Sequence, residues 1–475
     1  MHAQAEAMRE TPWNRPLAAE SIGPEYSRSF RCIGPACEDT CCSGWNVFFD
    51  EAACKKYEAV PAGPLRILID SSVALCPPNA DGSPPPHYAQ VKMNTDRNCP
   101  FLNAEKLCQI QASYGEELLS SACATYPRIV REDDGDGQKE MALSLSCPEA
   151  ARLVLLTPHL LLHDPNRLRS ISPKTAFGER EEEPSEPDSQ QRRPVSVLTH
   201  FEEIRGMVLK LLTKRDYALW ERMFLLSVLT GRLEVLALRG LSRGFYSVQQ
   251  GFEAAVDSGA FRPIVQRIPI DLSVQLDLVM QLAGLRLSRT HVEQRYIDTL
   301  NKFTKGIGNG PDATLQSLTQ GYADAYDRYF EPFFRARPYI LENLLINYVF
   351  RSLFPFGRVA GKPNTNPDMA REFALMAMQF ALIKGLLIGV AGFHGEAFSE
   401  SHVVETVQSV AKHFEHHPAF LDGAHALLVS CGLEDVRSIA TLVRDRGVAE
   451  IELPAEPKGR VSAKEIPYYG INTGL

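Results

Sequence analysis

Eleven cysteines dominate the possible chemistry of this 475-residue chain, and ten of them lie between Cys32 and Cys147. The first four follow the pattern C-x4-C-x3-C-C, and adjacent cysteines such as Cys41 and Cys42 seldom form a disulfide with each other because the ring is strained. Thiolates are instead soft ligands that suit zinc or an iron–sulfur cluster. The motifs therefore predict a metal centre, with these candidate ligands: Cys32, Cys37, Cys41, Cys42, Cys99, Cys108, Cys123 and Cys147.

The number of thiols leaves the kind and count of centres open. A [4Fe–4S] cluster takes about four cysteines, so eight indicate either two centres or one centre with some thiols in packing roles. Zinc held by four cysteines is the alternative, because its ligand count is the same. The C-x3-C-x2-C motif of radical-type S-adenosylmethionine enzymes is not matched, since Gly44 stands at its third position. Cys54 and Cys76 lie outside the motifs and are predicted to be structural.

Composition and charge narrow the class of protein. The first fifteen residues lack the apolar core of a secretory signal, so we expect a cytoplasmic protein, in which disulfides are uncommon. A net charge of −8 argues against a nucleic-acid partner. The apolar stretch from Phe373 to Phe393 carries Lys384 near its middle, which would be costly in a membrane. It is predicted to be a buried helix, and no membrane partner is expected.

The chain is predicted to be mainly α, in two domains. Residues 21–172 form a cysteine-rich metal-binding domain of short mixed elements, and residues 195–453 show helical periodicity almost throughout, as in an all-α domain. Between them, residues 173–194 are rich in Pro, Glu and Ser, which predicts a disordered linker. The predicted helices include 51–60, with Asp50 as its cap, and 115–123, 215–230, 233–240, 291–301, 337–353 and 368–392.

One predicted helix carries polar side chains on an apolar face. Asn343 and Asn347 share that face with Phe350 and Phe354. Amides in such surroundings need hydrogen-bond partners. They either line a ligand pocket or tie this helix to the cysteine domain.

The cysteine pattern resembles the bacterial flagellin lysine-N-methylase family. The matching segments are Phe30 to Trp45, Cys99 to Leu102, Leu107-Cys108, Cys123 with Tyr126-Pro127-Arg128, and Glu342 to Phe356. The resemblance implies a protein-lysine N-methyltransferase that moves a methyl group from S-adenosylmethionine to the ε-amines of flagellin lysines. It also implies that the cysteines hold an iron–sulfur cluster.

Methyl transfer to an amine requires a neutral lysine, a group that accepts or orients a proton, and apolar walls. The candidate catalytic residues are Glu342, Asn343, Asn347 and Tyr348, with Glu38 and Asp39 as further carboxylates beside the thiols. No Rossmann-type methyl-donor loop is found. The alternative function is a non-catalytic metal-binding interaction protein whose centre supports a helical docking surface.

Overall fold

The computed structural model describes residues 23–79, 82–85, 87–132, 139–161, 200–240, 244–285, 292–357, 368–415, 418–430 and 436–446. The described residues up to Arg444 form one compact unit. The predicted linker, the two domain boundaries beside it and Cys431 lie outside the described residues. Within the described ranges helices dominate and strands are few, so the predicted mainly-α fold is confirmed.

The cysteine-rich part combines short helices with two small sheets. Strands β1 (Phe48–Phe49), β2 (Val73–Leu75) and β3 (Ala89–Val91) form an antiparallel sheet in the order β1-β3-β2, with Phe48 opposite Gln90. Strands β4 and β5 form a separate antiparallel pair, with Val130 opposite Met141. The helices are α1 Glu25–Ser29, α2 Glu51–Glu58, α3 Pro64–Ser72, α4 Gln109–Tyr114, α5 Ser121–Thr125 and α6 Pro148–Leu156, and the strands are β1 Phe48–Phe49, β2 Val73–Leu75, β3 Ala89–Val91, β4 Arg128–Glu132 and β5 Lys139–Leu143.

Side-chain caps set where two of these helices begin. The Asp50 carboxylate accepts a hydrogen bond from the Ala53 N–H at 2.7 Å and caps α2, as the sequence predicts. The helix predicted from residue 115 starts only at Ser121. The reason is that the Ser120 hydroxyl accepts from the Cys123 N–H at 3.2 Å, so the first turn of α5 forms there.

The rest of the described chain is helical. The helices predicted over 215–230 and 233–240 are one continuous helix, because Leu229, Leu233 and Leu236 extend a single buried face past Gly231. A π-helical turn, Tyr326–Phe330, joins α13 to α14. The helices are α7 Phe201–Leu212, α8 Leu219–Leu238, α9 Phe245–Asp257, α10 Arg262–Val265, α11 Leu272–Gly284, α12 Gln294–Gly306, α13 Leu315–Ala325, α14 Glu331–Arg335, α15 Tyr339–Ser352, α16 Met369–His394, α17 Glu400–Phe414, α18 Pro418–Ser430 and α19 Val436–Val443.

Helix α16 occupies the centre of the larger hydrophobic core. By length and composition it could cross a membrane, but 94% of its most apolar segment is buried inside the protein. The Lys384 ammonium donates to the carbonyls of Val443 at 2.9 Å and Arg444 at 3.2 Å, so its charge is solvated by the end of α19. In this structure α16 is a core helix, as its lysine predicts.

Glycines let α12 approach α16 closely. A Cβ atom at Gly389 would lie 2.4 Å from a ring carbon of Phe303 and 2.7 Å from the Phe303 carbonyl oxygen. A Cβ at Gly306 would lie 1.7 Å from the Gly389 carbonyl oxygen. The two backbones are therefore packed without room for any side chain between them.

Replacing Gly389 by alanine is expected to lower the free energy of unfolding by about 1–3 kcal/mol, because the added methyl group meets backbone atoms that cannot move aside. Gly231→Ala is the matched control, since nothing lies within 4 Å of the added methyl group in α8. That control should be neutral or stabilise by up to about 1 kcal/mol. Denaturant unfolding measures both, and an unchanged stability of Gly389→Ala would contradict the proposed close contact.

Two hydrophobic cores divide the described residues. The smaller core surrounds the three-stranded sheet and includes Phe49, Tyr57 and Phe101. The larger core contains the helical part, together with β5 and α6 of the cysteine-rich part. Both ends of the cysteine-rich segment are thus built into the helical core, because Tyr26 and Phe30 belong to it as well.

Candidate functional site

The eight predicted metal ligands lie near enough for their thiols to interact electrostatically, and we describe them as two sets of four, with Cys41 interacting with members of both. All ten described cysteines are free thiols. The first thiol set is Cys42, Cys99, Cys108 and Cys123, and its members lie close enough to interact electrostatically. The second thiol set is Cys32, Cys37, Cys41 and Cys147, linked in the same way. The sets meet at Cys41, whose side chain is hydrogen-bonded to Cys42.

Two loops and two helix starts build the first thiol set. The Cys99 N–H donates to the Cys42 carbonyl at 2.7 Å, and the Gly44 N–H donates to the Arg97 carbonyl at 3.2 Å. Cys108 immediately precedes α4, and Cys123 lies in the first turns of α5. Four separate pieces of backbone therefore bring these four cysteines near one another.

Burial makes these thiols hard to ionise. It raises the pKa of Cys99 to about 11, although the Phe101 N–H opposes the shift. Burial also raises the pKa of Cys108, against the opposing N–H groups of Gln111 and Ile110. Losing the protons is unfavourable unless a bound metal takes their place.

The buried hydroxyl of Tyr57, beside the first thiol set, needs a hydrogen-bond acceptor. The Tyr57 side chain packs in the smaller core among Cys54, Cys99, Cys108 and Cys123. Its hydroxyl is buried and has no hydrogen-bond partner among the described residues. A buried donor without a partner is costly. Sulfur atoms that carry negative charge, as in a metal–thiolate centre, would accept its hydrogen bond, so the residues present fit such a group.

The thiols are nevertheless spread too widely for a single small ion. Within the described ranges, no three His, Cys, Asp or Glu side chains are grouped so that they could hold one metal ion. A zinc ion needs its four sulfurs at about 2.3 Å from the metal, hence close to one another.

The loop that carries Cys41 is fastened to α17 through Asp39. Lys412 donates to the Asp39 carboxylate at 2.8 Å and to the Thr40 carbonyl at 2.9 Å, and Gln408 donates to the same carboxylate at 2.8 Å. Burial alone would raise the pKa of Asp39, but the Lys412 ammonium outweighs it and holds the pKa below its ordinary value. Asp39, a candidate for chemistry by its position, is an anchor in the structure.

Three other candidate residues also carry structural contacts. Glu38 pairs with Arg152 at 2.5 Å on the surface. Glu342 is buried and accepts from Arg215 at 2.9 and 3.0 Å and from Arg222 at 2.8 Å. The Asn343 amide donates to carbonyls just before and after the end of α6, those of Val154 and Thr157, both at 2.9 Å.

Asn347 joins α15 to the cysteine-rich part from the same face. Its amide donates to the Leu143 carbonyl at 3.0 Å and its oxygen accepts from the Tyr26 hydroxyl at 3.1 Å. The two asparagines therefore tie α15 to the cysteine-rich part, which is one of the two roles that the sequence left open for them. Tyr348 donates to Glu372 at 2.9 Å and, like Asn347, faces a cavity.

A partly open cavity of about 30 Å³ lies between α15, α16 and α17. Most of its walls are apolar, including Leu344, Phe380 and Val410. Its polar side chains are Asn347, Tyr348, Arg351, Gln379 and Glu415. Sequence reasoning missed the last three, because no local spacing links residues that only tertiary packing brings together.

Residues 205–442 match the model of the FliB lysine N-methylase C-terminal domain. The chain belongs to the FliB lysine N-methylase family. It is 31% identical to the flagellar biosynthetic protein FliU of Salmonella muenchen over 136 residues, which are 28% of this chain and 76% of that protein. It is also 23% identical to the lysine-N-methylases of Salmonella typhimurium and Salmonella choleraesuis over 416 residues, which are 83% of this chain and 94% of each relative. No solved structure matches.

Family membership identifies the chain as a lysine N-methyltransferase, and the non-catalytic alternative is set aside. The region matched by the FliB model contains α15, α16 and α17, and so the three helices around the cavity. The two thiol sets precede that region in sequence. In this FliB family member, the hydrogen bonds from Lys412 to Asp39 and Thr40 join the loop of Cys41 to α17 of the matched region.

Proposed function

We propose that this enzyme transfers the methyl group of S-adenosylmethionine to lysine ε-amines of flagellin in the cytoplasm, and that the first thiol set holds an iron–sulfur cluster. The observation that carries the cofactor assignment is the arrangement of Cys99, Cys108 and Cys123 around the buried Tyr57 hydroxyl, with Cys42 within electrostatic range of Cys99 and Cys108. Flagellin as the substrate is supported by the flagellar role in the name of the FliU relative.

The spacing of the thiols favours a cluster over zinc. Sulfurs that bind one ion must meet closely, and no such grouping is found among the described residues. A cluster of several iron atoms lets its ligands stand further apart while still requiring about four of them. The main-chain N–H groups directed at Cys99 and Cys108 suit charged sulfur ligands.

When bound, the cluster would supply a cross-link among four backbone segments and a one-electron redox centre. The residues of the chain would hold it as thiolates, with Tyr57 as a hydrogen-bond donor to sulfur. S-adenosylmethionine is proposed as the methyl donor because its sulfonium makes the methyl carbon electrophilic enough for attack by an amine.

Anaerobic purification followed by iron, sulfide and zinc analysis tests the cofactor, with about four iron and four sulfide expected per chain. Zinc without sulfide would overturn the cluster. Calorimetry with S-adenosylmethionine and mass spectrometry of flagellin after incubation test the reaction. Flagellin that gains no methyl groups from an iron-loaded enzyme would overturn the substrate assignment.

Removing the Tyr57 hydroxyl should change the reduction potential of the cluster without releasing its iron. In Tyr57→Phe the reduction potential is expected to become more negative, because a hydrogen bond to sulfur stabilises the more negative, reduced cluster. Iron content should stay at the level of the unmodified enzyme. Tyr114→Phe, at an exposed position, is the control. A redox titration that finds equal potentials for both variants would remove Tyr57 from the cluster environment.

A further inference from the structure

The cavity between α15, α16 and α17 lies within the larger hydrophobic core, where side chains are normally closely packed. At about 30 Å³ it has room for roughly two water molecules in a row. That space suits the last few atoms of a slender aliphatic side chain, and it is too small for a nucleoside. The apolar walls from Leu344, Phe380 and Val410 favour methylene groups.

A carboxylate held in a defined orientation forms the polar end of this cavity. Glu415 accepts a hydrogen bond from the Ser144 hydroxyl at 2.6 Å, and its other oxygen lies 3.4 Å from the Arg351 guanidinium. The Arg351 guanidinium also donates to the Gln379 amide oxygen at 3.3 Å. The side chains of Arg351 and Glu415 are each only 10% exposed. A nearly buried charge pair beside an apolar cavity is a candidate for chemistry.

A line of hydroxyl groups leads away from Glu415. The Ser144 and Ser146 hydroxyls are 2.6 Å apart, and the Ser146 and Tyr126 hydroxyls are 3.1 Å apart. The Tyr126 ring packs edge-on against Trp45, at 4.8 Å between centroids, in the loop that follows Cys42. Connected hydroxyls of this kind can pass a proton from one to the next.

We propose that this cavity receives the end of the acceptor lysine side chain and that Glu415 takes the proton which the ε-ammonium must lose before it is methylated. The proposal rests on the proposed methyl transfer and assigns its acceptor site. Glu415 is the catalytic residue of this site, and Ser144 and Ser146 carry the proton away from it.

Methyl transfer at this site breaks one N–H bond and one C–S bond and forms one N–C bond. One N–H bond of the ammonium breaks and its proton binds the Glu415 carboxylate, which leaves a lone pair on nitrogen. That lone pair forms the N–C bond to the methyl carbon of S-adenosylmethionine, and the C–S bond breaks with its electrons on sulfur. The positive charge passes from the sulfonium to the methylated amine. The Arg351 guanidinium and the apolar walls both favour the neutral amine that attacks.

Glu415→Gln is expected to slow methyl transfer to flagellin at pH 7.5 by about 100-fold or more, the usual effect of losing a general base. Iron content and affinity for S-adenosylmethionine should be unchanged. Glu405→Gln is the matched control, because Glu405 lies on α17, which ends just before Glu415, but pairs with Lys302 at 2.8 Å, and it does not line the cavity. That control should stay within about threefold of the unmodified enzyme, while an equally small effect of Glu415→Gln would overturn the proposal.

Alkaline pH should rescue the variant. A free lysine amine loses its proton near pH 10.4, so the rate of Glu415→Gln is expected to rise about tenfold per pH unit between about 7.5 and 9.5. The charged and titratable groups that line the cavity with Glu415 are Arg351 and Tyr348 of α15, and Arg131 reaches the carbonyl groups of Phe350 and Arg351 from β4. The α16 side of the polar end contributes Gln379, which does not titrate. A variant whose low rate does not respond to pH would overturn the role of Glu415 as base.

A second probe tests the cavity without methyl transfer. n-Butylamine, the side chain of lysine alone, is expected to raise the thermal unfolding midpoint of the unmodified enzyme at millimolar concentration. Ala411→Leu, which fills the cavity from α17, should abolish that shift while leaving the iron content unchanged. The absence of any shift in the unmodified enzyme would overturn the acceptor cavity. Binding of n-butylamine without methylation of flagellin would instead overturn the proposed reaction.

Discussion

Cys99→Ser is expected to release the iron and to lower the free energy of unfolding by more than about 4 kcal/mol, a loss typical of removing a structural metal. Serine keeps the shape of cysteine, but its hydroxyl stays protonated at neutral pH and is a poor ligand for iron. Cys99 is buried and interacts with Cys42, so its loss opens the first thiol set at its centre. Iron content per chain and the unfolding midpoint measure the effect.

Two further serine variants show whether the loss of iron is specific to the first thiol set. Cys76→Ser is the control, because Cys76 belongs to neither thiol set and should keep both iron and stability. Cys147→Ser tests the second thiol set: full iron content is expected because the first set holds the cluster, and loss of the iron would show that Cys147 is one of its ligands. A Cys99→Ser protein that retains its full iron content would refute the assignment of the first thiol set.

Glu342→Gln is expected to lower the free energy of unfolding by about 3–5 kcal/mol, because it leaves the buried Arg222 guanidinium without its counter-charge. Glu342 also binds Arg215 through both of its oxygens, so one carboxylate connects α15 with α8 and with the loop before it. Chemical unfolding at neutral pH measures the change. In the fraction that remains folded, the methylation rate should be unaffected.

The exposed ion pair between Glu400 and Arg337 provides the control for the loss of stability in Glu342→Gln. Its two groups are 3.0 Å apart, and their side chains are 43% and 37% exposed. Glu400→Gln should therefore cost less than about 1 kcal/mol. A methylation rate that falls in Glu342→Gln while stability is kept would restore Glu342 as a catalytic residue.

Local patterns explain what could be predicted from the sequence. Helical periodicity from residue 195 onward predicts the all-α part, because each helix buries a face whose spacing is visible in the chain. Asp50 predicts its own cap, since the partner N–H lies three residues away. The eight motif cysteines are predicted as a group, because density and spacing are properties of the sequence itself.

Long-range packing explains what could not be predicted. The sequence shows that Asn343 and Asn347 need partners, but the carbonyls that accept their hydrogen bonds lie about 190 to 200 residues away. Glu415 and Arg351 become a site only because the C-terminal ends of α15 and α17 come together in the fold. The division of eight cysteines into two sets likewise depends on which loops pair in space.

The contact between Lys412 and Asp39 also sets an order of events during synthesis. The two residues are separated by 373 positions. At about 5–20 residues per second, the ribosome adds Lys412 about 20–75 s after Asp39. Throughout that interval the loop of Cys41 and Cys42 exists without its anchor on α17. The loop can reach its anchor only after the chain has been made through α17, and a chain that stops before α17 would leave these thiols without that anchor.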